Sequence, residues 1–248
     1  MSRAKRRERS NSPYYSTQRD DNTNLIEFKH YTKKKQEVHI IPRNLGQENY
    51  VELLKNPKKH IVFAIGPAGT GKTMLGVQMA IKQLKEEVIN KIIVTRPAVS
   101  VDEEHGFLPG TLTQKMSPWM MPVLDVFSEY YHQREIASML ETGILEMAPL
   151  AMMRGRTFKH AFIIGDEMQN SSPSQLKMLL TRIGEKSKMV ITGDLQQADR
   201  PTGNGLIEFF NLYKEFNDRK LIDVVNFDYN DIERHPAVKE ILAIYKES

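Results

Sequence analysis

Ile61-Val62-Phe63-Ala64-Ile65-Gly66-Pro67-Ala68-Gly69-Thr70-Gly71-Lys72-Thr73 is the stretch on which the fold turns. Five consecutive apolar residues read as a strand buried on both faces, the pattern of a parallel sheet covered by helices. The octet that follows has every fixed position of a P-loop, Gly66, Gly71, Lys72 and Thr73. Glycines let the backbone curl so that successive N–H groups face phosphate oxygens, with Pro67, Ala68, Gly69 and Thr70 completing the cradle. A helix starting near Gly71 adds its positive dipole end. Lys72 is then expected on the β- and γ-phosphates, and the Thr73 hydroxyl on Mg²⁺. Residues 72–87 carry apolar positions at Leu75, Met79 and Leu84, a helical spacing. Gly76 lies one turn inside that helix, where glycine costs about 1 kcal/mol and so implies a close packing contact.

Working outward, short apolar runs alternate with amphipathic segments. Ile92-Ile93-Val94-Thr95 reads as the next strand, and further strands are expected at 144–147, 161–165, 189–192 and 221–226. Helices are expected at 120–140, introduced by a Ser117-Pro118 turn, and at 174–183, 205–213 and 237–245. The alternation predicts an α/β fold built of βαβ units, a mostly parallel sheet with helices on both faces. Residues 46–248 make this domain. Residues 24–45 form a short extension, where Leu25-Ile26-Glu27-Phe28 and Val38-His39-Ile40-Ile41 are candidate edge strands. Residues 1–23, rich in Arg, Ser, Asn and Asp, have too little apolar surface to offset chain ordering and read as a disordered basic tail.

Ala161-Phe162-Ile163-Ile164-Gly165-Asp166-Glu167 is an apolar strand ending in two carboxylates. Downstream of a P-loop, this is the composition of a Walker B element. Asp166 is expected to hold Mg²⁺ through its shell, and Glu167 to orient and polarise an attacking water. Gln169 and Asn170 stand just behind. On another strand, Met189-Val190-Ile191-Thr192 runs into Gly193-Asp194-Leu195-Gln196-Gln197, and Gln196 is a candidate to contact the γ-phosphate or the lytic water. Carboxylates placed to activate water favour an ATPase over a kinase that passes phosphate to a small acceptor.

Composition narrows the remaining classes. The chain has 248 residues and no cysteine, which excludes disulfides, thiolate zinc sites and a cysteine nucleophile. The seven histidines show no metal-ligand spacing. No apolar run approaches a membrane span and the first residues lack a signal peptide's apolar region, so a cytoplasmic home is expected. The net charge of +4 is unevenly placed: Arg3, Lys5, Arg6, Arg7 and Arg9 crowd the start, and Lys33-Lys34-Lys35 follow. Such clusters attract phosphate backbones or serve as solvated tails. Tyr14 and Tyr15 within the tail have faces on which bases can stack. The pairs Met120-Met121 and Met152-Met153 read as core or interface filler. Trp119, between Pro118 and Pro122, suggests a packed loop.

Further matches accumulate in order along the chain. They are Ile41-Pro42, Gly46-Gln47, Thr95-Arg96-Pro97-Ala98-Val99, Gly106-Phe107-Leu108-Pro109-Gly110 and Met153-Arg154-Gly155-Arg156-Thr157-Phe158, then Asp166-Glu167-Met168-Gln169-Asn170, Thr181-Arg182-Ile183-Gly184, Thr192-Gly193-Asp194 and Arg234-His235-Pro236. With the P-loop, these residues resemble the PhoH family, whose core is similar to the first RecA-like domain of superfamily 1 helicases. The resemblance spans roughly 40–246. It departs from the family pattern at Met168, where Ala is usual, at Gly165, where a larger aliphatic is common, and at His105, where the family often has Leu.

The resemblance implies a RecA-like P-loop ATPase that uses ATP and Mg²⁺ in contact with RNA or single-stranded DNA, with helicase-like activity among its possible outputs. The alternative is an ATP-switched nucleic-acid-binding module with little turnover. It implies that Gln47 reads the adenine ring and that Arg96 lies near bound nucleic acid. Arg154 and Arg156 are implied either at phosphate or RNA, or in structural pairs with carboxylates. Arg182 and Arg234 are implied as arginine fingers, each with an alternative as a surface or helix-end cation. The chain has room for one RecA-like domain, so a finger is expected from another subunit, in a homo-oligomer that resemblance makes a hexameric ring.

Overall fold

A computed structural model describes residues 37–97, 112–197 and 203–245. The basic tail, the lysine cluster, Leu25-Ile26-Glu27-Phe28, Tyr14-Tyr15, and the segment of His105 and Gly106-Phe107-Leu108-Pro109-Gly110 lie outside these residues. In chain order the elements are α1 (Leu45–Lys55), β1 (Ile61–Ile65), α2 (Lys72–Lys85), β2 (Lys91–Arg96), α3 (Leu112–Ser128), α4 (Gln133–Glu141), β3 (Leu145–Pro149), β4 (Ala161–Gly165), α5 (Pro173–Leu180), β5 (Lys188–Gly193), α6 (Gly205–Glu215), β6 (Ile222–Asn226) and α7 (Pro236–Tyr245). Among the described residues, no helix is long and apolar enough to cross a membrane.

The six strands form one sheet in the order β3-β2-β4-β5-β1-β6, and every neighbouring pair is parallel. Parallel strands cannot be joined by tight hairpins, so each crossover carries the chain back over a face of the sheet. β1, β4 and β5 are buried along their whole length, as their unbroken apolar runs require. One core packs Val62, Ile92, Val94, Phe162, Ile164 and Val190 under α1 to α4. The other packs Phe63, Ile93, Ile163, Met189 and Ile191 under α5 and α6, with Phe63 stacked 4.5 Å from Phe209. The expected α/β sandwich with helices on both faces is therefore present.

Local chemistry fixes the helix ends. Asn44 caps α1 by accepting from Gln47 N at 2.9 Å. Ser172 and Gln175 form a reciprocal capping box at the start of α5, with Pro173 at its first position. The far end of α1 is closed from another layer: the buried Lys188 Nζ donates to Leu54 O at 2.6 Å, Asn56 O at 2.9 Å and Leu53 O at 3.2 Å. Gly76 has the contact its position implies, since a Cβ there would lie 3.2 Å from the Tyr50 hydroxyl.

Four expectations need correction. The helix expected at 120–140 is two helices, α3 and α4, and α3 runs through Ser117-Pro118 without a turn there. The break falls at 129–132, where Glu135 of α4 accepts from His132 N at 2.7 Å and so starts a new helix. Trp119 is accordingly on a helix, half-buried against the first core, and not in a loop. Val38-His39-Ile40-Ile41 forms no strand: Val38 is buried in that core and Ile41 is exposed just before Pro42. The methionine pairs, by contrast, include the expected core filler: Met120 and Met153 are buried, while Met121 and Met152 are exposed.

Candidate nucleotide site

All chemistry-bearing turns follow the C-terminal ends of parallel strands, where open α/β sheets bind ligands. The loop after β1 is held in an unusual backbone shape. Gly66 has φ 148°, and a Cβ there would sit 2.4 Å from Phe227 O, so only glycine fits. Gly69 (φ 85°) exposes its edge to the Arg234 side chain, whose Nε would lie 3.0 Å from a Cβ. Lys72, the first residue of α2, folds over the loop and donates to Pro67 O at 2.6 Å and Gly66 O at 2.7 Å. Burial pushes its ammonium below the ordinary lysine value, and Asp194, Glu167 and Asp166 pull it back up.

β5 lies between β1 and β4, which sets the reach from P-loop to carboxylates. Across it, the Thr73 hydroxyl donates to Asp166 Oδ1 at 2.6 Å, and the Thr192 hydroxyl of β5 donates to the same oxygen at 2.6 Å. A hydroxyl and a carboxylate in contact are the hard oxygen donors that Mg²⁺ takes, so the residues present fit that ion. Glu167 follows in the left-handed region at φ 51°. Gln169 Nε2 donates to its carboxylate at 2.5 Å, and Gln169 Oε1 accepts from Asp194 N at 3.1 Å. The turn after β5 is tied in turn: Gln196 N donates to Asp194 Oδ1 at 2.9 Å, and the Tyr229 hydroxyl donates to Gln196 Oε1 at 2.7 Å.

A strap at residues 229–234, between β6 and α7, closes the site from the other side. Glu233 N donates to Gly69 O at 3.0 Å and Arg234 Nη2 to Ala68 O at 3.5 Å. Arg234 therefore lies on the P-loop of its own chain, whereas the sequence looks to a neighbouring subunit for such a cation. Gln47 also meets the P-loop. Its buried carboxamide donates to Thr70 O at 3.1 Å and accepts from Arg43 N at 2.9 Å, so both ends are engaged within the protein.

The other candidates lie apart. Arg182 stands just past the end of α5, beside the residues that lead into the N-terminal ends of β4 and β5 and so away from the strand ends that carry the P-loop, and its guanidinium donates to Met178 O, Arg156 O and the Thr181 hydroxyl. Those bonds make it a helix-end cation and a staple. Arg156 forks onto Glu146 and lies 4.8 Å over the Phe158 ring. With Lys91 it holds the Glu146 carboxyl down to about 2. This is the carboxylate pair named above as the structural alternative. Arg96 ends β2, half-exposed, and Arg154 is exposed beyond β3. The sequence singles out Thr192-Gly193-Asp194 as a motif but gives neither Thr192 nor Asp194 a role, and it does not point to Tyr229. The polar residues after an apolar run at 189–192 were the available signal.

A family model described as PhoH-like protein matches residues 39–246. A PhoH-like protein of Bacillus subtilis is 44% identical over 216 residues, covering 86% of this chain and 66% of the relative. A Mycobacterium tuberculosis PhoH-like protein is 41% identical over 208 residues (83% and 58%), and protein PhoH of Escherichia coli is 37% identical over 216 residues (83% and 58%). The chain thus spans less than two thirds of the length of these relatives. Domain III of the Thermotoga maritima replication initiation protein DnaA aligns with a TM-score of 0.33 at 14% identity, over 86% of this chain and 74% of that one. With the P-loop, the paired strand ends and this family match in place, the chain belongs to the PhoH-like family of P-loop NTPases.

Proposed function

We propose that the protein binds Mg-ATP on the P-loop and hydrolyses it, and that hydrolysis is coupled to RNA or single-stranded DNA. The observation that carries the first part is the convergence of Lys72 and Thr73, after β1, with Asp166 and Glu167, after β4, across the end of the intervening β5. Phosphate oxygens would take over the Lys72 donors now given to Gly66 O and Pro67 O. Thr73 and Asp166 would hold Mg²⁺, which neutralises charge on the phosphates when bound. Glu167 would accept hydrogen bonding from the attacking water, and Arg234 would face charge gathering on the transferred group. Gln47 supports the loop from below and adenine recognition is proposed for its neighbourhood. The nucleic-acid part rests on Arg96 and Arg154, which stand without ion pairs among the described residues toward the strand ends that carry the site.

The test is ATP hydrolysis by wild type, Lys72→Ala and Glu167→Gln, each with and without single-stranded RNA. Glu167→Gln is expected to bind ATP but lose roughly a hundredfold or more in turnover, the usual contribution of a positioned base. Wild type that binds ATP, turns none over and ignores RNA would leave an ATP-switched binding module in place of an ATPase.

A further inference from the structure

We propose that Gln169 is a positioning residue that holds the Glu167 carboxylate and ties it to the turn after β5, so that nucleotide contacts at that turn set the aim of Glu167. The inference rests on Glu167 being the water-activating group, as above.

Gln169 lies in the 3-10 turn Met168–Asn170 and is 2% exposed. A buried carboxamide must place its acceptor on a donor and its donors on acceptors. Here the two partners permit one orientation, because Asp194 N can only donate and an ionised Glu167 can only accept. The donation to Glu167 is charge-assisted and short. Space is kept for it: a Cβ on Gly193 would fall 3.0 Å from Gln169 Oε1 and 2.6 Å from Leu206 Cδ1. Glu167 itself occupies a left-handed backbone conformation, which persists where surroundings hold it.

The connection continues past the carboxylate. Asp194 receives Gln196 N, and Gln196 receives the Tyr229 hydroxyl of the strap that also bonds Gly69 O. Two hydrogen bonds through one side chain thus separate Glu167 from the backbone of the turn that carries the exposed Gln196. A glutamate released from that tether samples several rotamers, and a misplacement of about 1 Å costs on the order of a hundredfold in rate.

Steady-state hydrolysis by the full chain, with binding of a fluorescent ATP analogue alongside, separates the possibilities for wild type, Gln169→Ala and Gln169→Glu. The glutamate variant keeps the shape and the acceptor for Asp194 N but repels the Glu167 carboxylate. Both variants are expected to lose roughly 10- to 100-fold in kcat with KM and analogue affinity within about threefold of wild type. Full kcat in Gln169→Glu, or a loss falling mainly on KM in either variant, overturns the proposal; should the buried second carboxylate keep Gln169→Glu from folding, Gln169→Ala decides on the same two readouts. Wild type without turnover defeats the ATPase reading underneath; active wild type with equally active Gln169 variants defeats this inference alone.

Discussion

Lys188 carries an ammonium into the interior and uses all its donors on one helix end, the carbonyls of Leu53, Leu54 and Asn56. Burial lowers its pKa from 10.5 to about 8. The folded value lies below the unfolded one, so between the two the unfolded chain binds more protons than the native state. The stability attached to this group is complete above the unfolded value and is lost as pH falls through the folded one. Wild type should therefore gain stability relative to Lys188→Met as pH rises from about 7.5 to about 9.5. Urea unfolding of both proteins across that range gives the difference directly, since the other titrating groups are common to both and cancel. A difference that stays flat or shrinks contradicts the burial account. At neutral pH, Lys188→Met should still be the weaker protein by roughly 1.5–3 kcal/mol, since it strands a buried carbonyl at the end of α1.

The turn leaving β4 shows how two unusual residues answer one another. A Cβ on Gly165 would lie 2.9 Å from Ile191 Cδ1 and from Leu179 Cδ2, and 3.3 Å from Met168 Cγ. Met168, fully buried, occupies room that a larger residue at 165 would need. Met168→Ala should cost about 2–4 kcal/mol by leaving a cavity, and Gly165→Ala about 1–3 kcal/mol by crowding. The double variant should be less damaged than the sum by about 0.5–1 kcal/mol or more. Thermal unfolding of the four proteins closes the cycle, and strict additivity would mean that the two sites do not share space. Much of this element level was legible in the sequence. Buried parallel strands must be continuous apolar runs, so β1, β4 and β5 announce themselves, and so does the glycine pattern of the P-loop. The α3–α4 break was hidden because neither Gly nor Pro marks it and its signal is one side chain, Glu135. Thr192 on Asp166, Gln169 between two strands and the strap over Gly69 were hidden for a different reason. Each depends on which strand lies beside which, and the order β4-β5-β1 is a property of the assembled sheet.

At the scale of the whole molecule, that order leaves the P-loop near one edge of the sheet, with β6 alone beyond β1, and the chain returns from β6 across the loop before entering α7. Arg234 thereby reaches its own P-loop, with Glu233 N anchoring the strap on Gly69 O. A cation supplied within the chain removes one reason for requiring a neighbour. The two arrangements differ in what mixtures do. Arg234→Ala keeps an intact P-loop and carboxylates but lacks the cation; Lys72→Ala lacks the lysine but keeps Arg234. If the arginine acted across an interface, mixing the two would let Lys72→Ala subunits complete the Arg234→Ala sites, and turnover would recover. With Arg234 acting in its own chain, each subunit remains deficient. Arg234→Ala alone should lose on the order of 10²-fold in turnover, as groups facing transition-state charge do, with ATP affinity little changed. Its mixtures with Lys72→Ala, titrated over subunit ratio and total concentration, should then show only the sum of the two residual activities. Recovery peaking at intermediate ratios would instead place the working arginine on a neighbouring subunit and require the strap to move off Gly69.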